Sequence, residues 1–121
     1  MLPKIKDIEK KRRGYATQDK KWEIYSEAHF APLDEVVRLL EQSRMLCAYC
    51  QSPMLVEYSA RHPQQWTLDR LDNDYGHNSG NILVCCLKCN LQRRSRDSKK
   101  FAFTKQLKVH KLESGDVNAL A

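Results

Sequence analysis

The sequence predicts a small α+β protein in which helices precede and follow a pair of short strands. Three features indicate this class: a helical apolar pattern in the first half of the chain, two short apolar runs around a turn-rich loop, and a basic segment after them. With 121 residues, 41% of them hydrophobic and 30% charged, the chain has the size and composition of one soluble globular unit.

The first thirty residues are expected to be helical and peripheral. Pro3 suits a first helical position, and Gly14 is placed to end that helix. A second helix is expected over 17–30, with Thr17 as its N-cap. A frayed basic arm is the alternative for residues 1–14.

The clearest helical pattern covers 33–44. Acidic residues open it and Arg44 closes it, as the helix dipole favours. Its apolar residues follow the i, i+3, i+4, i+7 spacing of one helix face: Leu33, Val36, Val37 and Leu40. We predict an amphipathic helix that leads directly to the first cysteine.

Short strands are predicted at 66–71 and 81–85, on either side of the loop Asp-Asn-Asp-Tyr-Gly-His-Asn-Ser-Gly. The segment before them contains two prolines and is expected to be mainly loop, with a further short strand at 54–58.

The end of the chain is strongly basic. A helix is expected to begin after Cys89, while 101–112 fits either a helix or a strand and Ser98 as a cap favours a short helix. Residues 85–111 contain nine Lys or Arg against one acid, Asp97, which gives a local charge of +8. Such a segment is typical of a polyanion binder and also of a solvated helix face, so charge alone leaves both open.

The chain has five cysteines, and an odd number argues against a simple disulfide framework. Four of them form two Cys-x-x-Cys pairs separated by 35 residues: Cys47 with Cys50, and Cys86 with Cys89. Zinc prefers four tetrahedral sulfur or nitrogen ligands, so the spacing predicts a four-cysteine zinc site, structural because no ligand position is left for water. The alternatives are two unrelated buried cysteine pairs or a redox pair. Cys85 can replace Cys86 as a ligand only if the spacing to Cys89 changes to three residues between them.

No segment reads as membrane-spanning or exported. The longest uncharged apolar stretch is the six residues 82–87, whereas a bilayer crossing needs about 20. The start of the chain lacks the apolar core of a secretory signal. We therefore expect an intracellular protein, in cytoplasm or nucleus, without a membrane partner.

Motifs around the cysteines follow a specific order. A Cys-x-x-Cys pair comes first, then Leu-Asp-Arg on the first strand, a glycine and Asn81 at the start of the second, and Cys-x-x-Cys-Asn opening a helix. This order over 45–96 resembles the HNH endonuclease family, whose fold is the ββα-metal finger, in the form stabilised by a four-cysteine zinc. It is also similar to small free-standing HNH proteins of phages and large DNA viruses. The implied segments are an N-terminal helical extension (1–44), the zinc finger domain (45–96) and a C-terminal basic helix with a flexible tail (97–121).

The resemblance implies roles for individual residues. Asp69 and Asn90 take the places of the family's ligands for one catalytic divalent ion, Mg²⁺ or Mn²⁺. Asn81 matches the asparagine that braces the loop between the strands. The side chains expected to contact nucleic-acid phosphates are Arg70, Arg93, Arg94 and Arg96.

One position departs from the family pattern. Many members have a histidine directly after the metal-binding aspartate, whereas this chain has Arg70, which stays protonated and cannot act as a base at neutral pH. His77 in the loop is the favoured substitute because its pKa range suits proton transfer, and a hydrogen-bonding role within the loop is the alternative for this residue. Asp72 is the alternative, although a turn role suits it better.

These implications predict a metal-dependent endonuclease that hydrolyses DNA phosphodiester bonds and contacts the backbone rather than base edges. A zinc-stabilised nucleic-acid-binding module without cleavage activity is the alternative, which Arg70 favours. A homodimer contact through residues 1–44 stays open.

Overall fold

The computed structural model describes residues 1–94 and 96–114. In these residues four α-helices accompany one two-stranded antiparallel sheet, which confirms the predicted α+β class. The elements are α1 (Ile5–Lys21), α2 (Leu33–Ser43), β1 (Trp66–Arg70), β2 (Ile82–Cys86), α3 (Leu87–Arg93) and α4 (Ser98–Ser114). The end of the expected flexible tail, 115–121, lies outside the described residues.

Helix α1 runs without a break through Gly14, so the prediction of two helices divided at this glycine is wrong. A Cβ at Gly14 would meet nothing within 4 Å, and an exposed glycine inside a helix costs only about 1 kcal/mol. Packing on both sides offsets this cost, because Ile8 lies in the core and Tyr15 packs against it. Thr17 is not a cap, since its hydroxyl donates to the carbonyl of Arg13 within the same helix.

Helix α2 forms as predicted. It begins after Pro32, buries Val36 and Leu40, and ends at Arg44, whose φ of 55° is left-handed. The chain then passes directly to the first cysteine pair.

Strands β1 and β2 form within one residue of the predicted bounds. Trp66 lies opposite Cys86, and Arg70 lies opposite Ile82. The segment 54–58 does not form the expected strand; Leu55 makes only an isolated bridge to Gln65.

The edge of β1 that faces away from β2 is covered by side chains of the helices. The carbonyl of Trp66 accepts from Lys11, and the N–H of Leu68 donates to the Tyr15 hydroxyl. Side chains therefore satisfy backbone hydrogen-bonding groups at an edge that could otherwise pair with another strand.

Helix α3 begins at Leu87, three residues earlier than expected, because the Cys86 sulfur accepts from the N–H of Cys89 and caps the helix. Helix α4 has 17 residues and is longer than the short helix predicted. Its start is capped by Asp97, which accepts from the N–H of Lys100 at 3.0 Å. Phe101 anchors it against the ring of Tyr49.

Buried side chains from the N-terminal helices and from the sheet form one hydrophobic cluster. Ile8 of α1 and Leu40 of α2 belong to the same cluster as Trp66 and Val84. None of the described helices is long and apolar enough to cross a membrane.

Candidate metal centre and adjoining cavity

The four paired cysteines meet at one point. Their sulfur atoms all lie within 4.8 Å of one another, and the sulfurs of Cys50 and Cys86 are 3.9 Å apart. A tetrahedral zinc with bonds of about 2.3 Å has sulfur–sulfur edges of about 3.8 Å. This cysteine cluster, formed by Cys47, Cys50, Cys86 and Cys89, can therefore hold a metal ion such as zinc.

The backbone around the cysteine cluster is arranged for thiolates. The Cys47 sulfur accepts from the N–H groups of Tyr49 and Cys50, and the Cys86 sulfur accepts from that of Cys89. The hydrogen bond with Cys47 raises the pKa of Cys86 to about 11. Four thiolates this close together repel one another, so a positive charge is needed among them before all four lose their protons. A bound metal ion would supply that charge.

Cys85 does not belong to the cysteine cluster. It is fully buried, and its sulfur lies 3.4 Å from the hydroxyl of Thr67. Burial raises the pKa of Cys85, so its sulfur stays protonated. The open choice between Cys85 and Cys86 is settled in favour of Cys86.

A cavity of about 440 Å³ lies between α1, β1 and the start of α3. Asp69 of β1, His77 of the loop and Asn90 of α3 all line it. This central cavity brings together the three residues that the sequence singled out for ion binding and proton transfer.

The side-chain amide of Asn90 has a fixed orientation. Its Nδ2 donates to the hydroxyl of Thr67 at 3.1 Å and to the carbonyl of Leu68 at 3.2 Å. No described residue donates to its Oδ1, so the amide oxygen is the atom left for a ligand.

Asp69 is held from one side. Its Oδ2 accepts from the Tyr49 hydroxyl at 2.5 Å and from Arg93 Nη1 at 2.8 Å. Burial, together with the neighbouring carboxylate, raises the pKa of Tyr49 and keeps its hydroxyl a donor. Oδ1 has no hydrogen-bond partner among the described residues, which leaves one carboxylate oxygen available.

Arg93, which was expected to contact nucleic-acid phosphates, faces the interior of the protein. The residue is 2% exposed, and its guanidinium points inward to Asp69. It also donates to the backbone carbonyls of Arg70, Leu71 and Arg96. Arg93 thus fixes the metal-binding candidate Asp69 and closes the end of α3.

His77 is buried and tied to α1. Its Nδ1 lies 2.7 Å from Oδ1 of Asp19, while its backbone N–H donates to Oδ2 of the same carboxylate at 2.7 Å. Burial lowers the pKa of His77, and Asp19 opposes that shift. The Tyr15 ring packs on the imidazole with a centroid distance of 4.4 Å.

Asn81 braces the loop, as expected. Its Oδ1 accepts from the N–H of Asp72, and its Nδ2 donates to the carbonyls of Asp72 and Gly76. Asp72 has the turn role, because its own carboxylate accepts from the N–H of Asp74 and it does not line the central cavity.

A second, larger cavity of about 940 Å³ lies between α3 and α4 and adjoins the first. Arg94 and Leu91 line both cavities. We call this surface the basic groove; its charged lining consists of one acid, Asp97, and four cations, Arg94, Arg96, Lys100 and Lys105. Arg70 lines the central cavity and donates to loop carbonyls.

Sequence reasoning missed the residues that α1 contributes to the central cavity. Tyr15 and Gln18 line it, and Asp19 reaches His77. These residues carry no motif, and only their spacing on a helix could have placed them on a shared side.

Comparison with known proteins adds no relative: the chain matches no family model, no curated protein and no solved structure.

Proposed function

We propose that this protein is a metal-dependent endonuclease of the HNH type that hydrolyses phosphodiester bonds of DNA. The observation that carries the proposal is that Asp69, Asn90 and His77 line one cavity. The order β1, loop, β2 and α3 beside four clustered cysteines also suits a ββα-metal finger. A structural zinc in the cysteine cluster would fix the end of β2 and the start of α3.

A divalent ion fits the oxygen atoms that the central cavity offers. Asp69 Oδ1 and Asn90 Oδ1 would hold it, because the other polar atoms of both side chains are already engaged. One carboxylate and one amide oxygen suit a hard cation such as Mg²⁺ or Mn²⁺. When bound, such an ion supplies polarisation of the phosphoryl group and stabilises charge on the leaving oxygen.

His77 is the candidate general base. A histidine whose pKa is lowered by burial is neutral at pH 7. Its Nδ1 is engaged by Asp19, so Nε2 is the ring nitrogen left to take a proton from the attacking water. His77 would thus do the work of the histidine that many HNH proteins have at the position of Arg70.

The basic groove suits the sugar–phosphate backbone. Its four cations outnumber its single acid, and Arg94 lies where the groove meets the central cavity. Phosphate contacts of this kind position a strand without reading its sequence. Arg70 lies at the same cavity and adds a further positive charge.

A nucleic-acid-binding module without cleavage is the second candidate. Two observations favour it: an arginine follows Asp69, and the Asp69 carboxylate is already paired with Arg93. Both candidates keep the zinc and the basic groove, so binding alone does not separate them.

Plasmid nicking separates the two candidates. Wild-type protein is compared with Asp69→Asn and Asn90→Ala in Mg²⁺ and in Mn²⁺, with folding checked by circular dichroism. Asp74→Asn is the matched control, because it makes the same chemical change at an exposed loop carboxylate outside both cavities. We expect nicking by wild type and control, and a loss of at least about 100-fold in the other two. Equal nicking rates in all four proteins, or no nicking by any of them, would contradict the nuclease and leave the binding module as the remaining candidate.

A further inference from the structure

We infer that Asp19 of α1 is a positioning residue that orients the imidazole of His77 and fixes its proton on Nδ1. This inference rests on the proposed function, since it assigns the group that prepares the general base. It makes α1, which lies outside the region of HNH resemblance, part of the catalytic apparatus.

The first support is the double contact between the two residues. One carboxylate oxygen of Asp19 meets the ring Nδ1 and the other meets the backbone N–H of the same histidine, each at 2.7 Å. Both the backbone and the ring of His77 are therefore fixed relative to α1. Asp19 is 1% exposed, so water does not compete for these bonds.

The second support is the shape of the loop next to Asp19. A Cβ on Gly76 would lie 2.6 Å from Asp19 Oδ2 and 2.8 Å from the carbonyl oxygen of Ile24. Only a glycine allows the loop to approach the carboxylate so closely. The residue before His77 is thus adapted to the contact with Asp19.

The third support is the tautomer that the contact requires. A carboxylate only accepts hydrogen bonds, so Nδ1 carries the hydrogen and Nε2 of the neutral ring keeps its lone pair. No described residue bonds to Nε2, and His77 lines the central cavity with the two candidate ion ligands. Asp19 therefore selects the nitrogen that can accept a proton there.

Nuclear magnetic resonance of protein labelled with ¹⁵N-histidine reads this tautomer directly in zinc-loaded protein without other divalent ions. The chain has four histidines, and the His77 signals are assigned from their loss in His77→Gln. We expect a protonated Nδ1 and a bare Nε2 in the wild type. A hydrogen on Nε2 would overturn the inference, and this measurement needs neither a variant of Asp19 nor cleavage.

Kinetics of Asp19→Asn supply the second test. We expect kcat to fall by about 10²- to 10⁴-fold, the usual contribution of a general base, with KM changed by no more than about twofold. Asp7→Asn, an exposed carboxylate in the same helix, is the control and keeps the wild-type kcat. A loss of kcat only in proportion to the unfolded fraction would contradict a positioning role.

The tautomer measurement and the nicking assay together distinguish a failure of this inference from a failure of the proposed function. A protonated Nδ1 in a protein that never nicks DNA overturns the nuclease. Nicking by a protein with the hydrogen on Nε2 overturns the role of Asp19 and leaves the nuclease.

Discussion

Arg93 Nη1 lies 2.8 Å from Oδ2 of Asp69, and both side chains are almost fully buried. The pair joins α3 to β1 at the edge of the central cavity. Buried ion pairs add little to stability compared with apolar residues, but removing one partner leaves an uncompensated charge in the interior. Arg93 therefore acts as a structural support for Asp69.

Arg93→Ala is expected to lower the free energy of unfolding by about 3 to 5 kcal/mol, because Asp69 then loses its buried countercharge. Urea denaturation measures this change. Arg94→Ala, the same substitution at an exposed neighbour, should change stability by less than about 0.5 kcal/mol. Equal effects of the two substitutions would show that the buried pair does not support the fold.

Metal content distinguishes the two adjacent cysteines. Purified wild-type protein is expected to contain about one zinc per chain, and Cys86→Ser to lose it together with the cooperative melt, because three thiolates hold zinc poorly. Cys85→Ser should retain the zinc, since Cys85 lies outside the cysteine cluster. Elemental analysis and circular dichroism measure the two effects. If Cys85→Ser lost the zinc and Cys86→Ser kept it, the fourth zinc ligand would be Cys85 and the assignment of Cys86 would be wrong.

The rate of cleavage is expected to depend on pH through His77. Burial lowers the pKa of His77 below its ordinary value of 6.5, although Asp19 opposes that shift. A base acts when it is unprotonated, so activity is present above the folded pKa and is lost as the pH falls through it. The acid limb of kcat/KM should therefore lie below pH 6.5. A limb above pH 6.5 would show that His77 gains, rather than loses, proton affinity in the fold.

Much of the fold follows from local sequence signals. The apolar spacing of α2, the apolar runs on either side of the loop and the spacing of the two Cys-x-x-Cys pairs each depend on a few neighbouring residues. The structure confirms the helix, the two strands and the clustering of the four cysteines. The predicted strand at 54–58 does not form because its backbone N–H groups donate to different segments of the chain. Met54 donates to the carbonyl of Met45, and Leu55 donates to that of Gln64. Its apolar pattern therefore did not correspond to one partner strand.

The site was predicted less completely because its supports come from distant parts of the chain. His77 and Asp19 are 58 residues apart in sequence, and Arg93 and Asp69 are 24 apart. No local pattern predicts either pair. The basic run around α3 carried no signal that Arg93 faces inward while Arg94 faces the groove.

The salt dependence of DNA binding tests the basic groove. Removing a phosphate-contacting cation reduces the slope of log affinity against log salt by about 0.7 to 0.9. Lys100→Ala and Lys105→Ala are each expected to produce this change, measured by fluorescence anisotropy without added divalent ions. Lys10→Ala removes the same charge from α1, outside both cavities, and should leave the slope unchanged. An unchanged slope in both groove variants would place the DNA elsewhere.

The Mg²⁺ dependence of plasmid nicking, measured while the zinc content of each sample is recorded, distinguishes an exchangeable catalytic ion from a structural zinc. We expect nicking to rise and saturate with Mg²⁺ while zinc stays at about one per chain, and to disappear when Mg²⁺ is withheld. Nicking that is indifferent to Mg²⁺, or absent at every Mg²⁺ and Mn²⁺ concentration, would contradict an exchangeable catalytic ion held by Asp69 and Asn90.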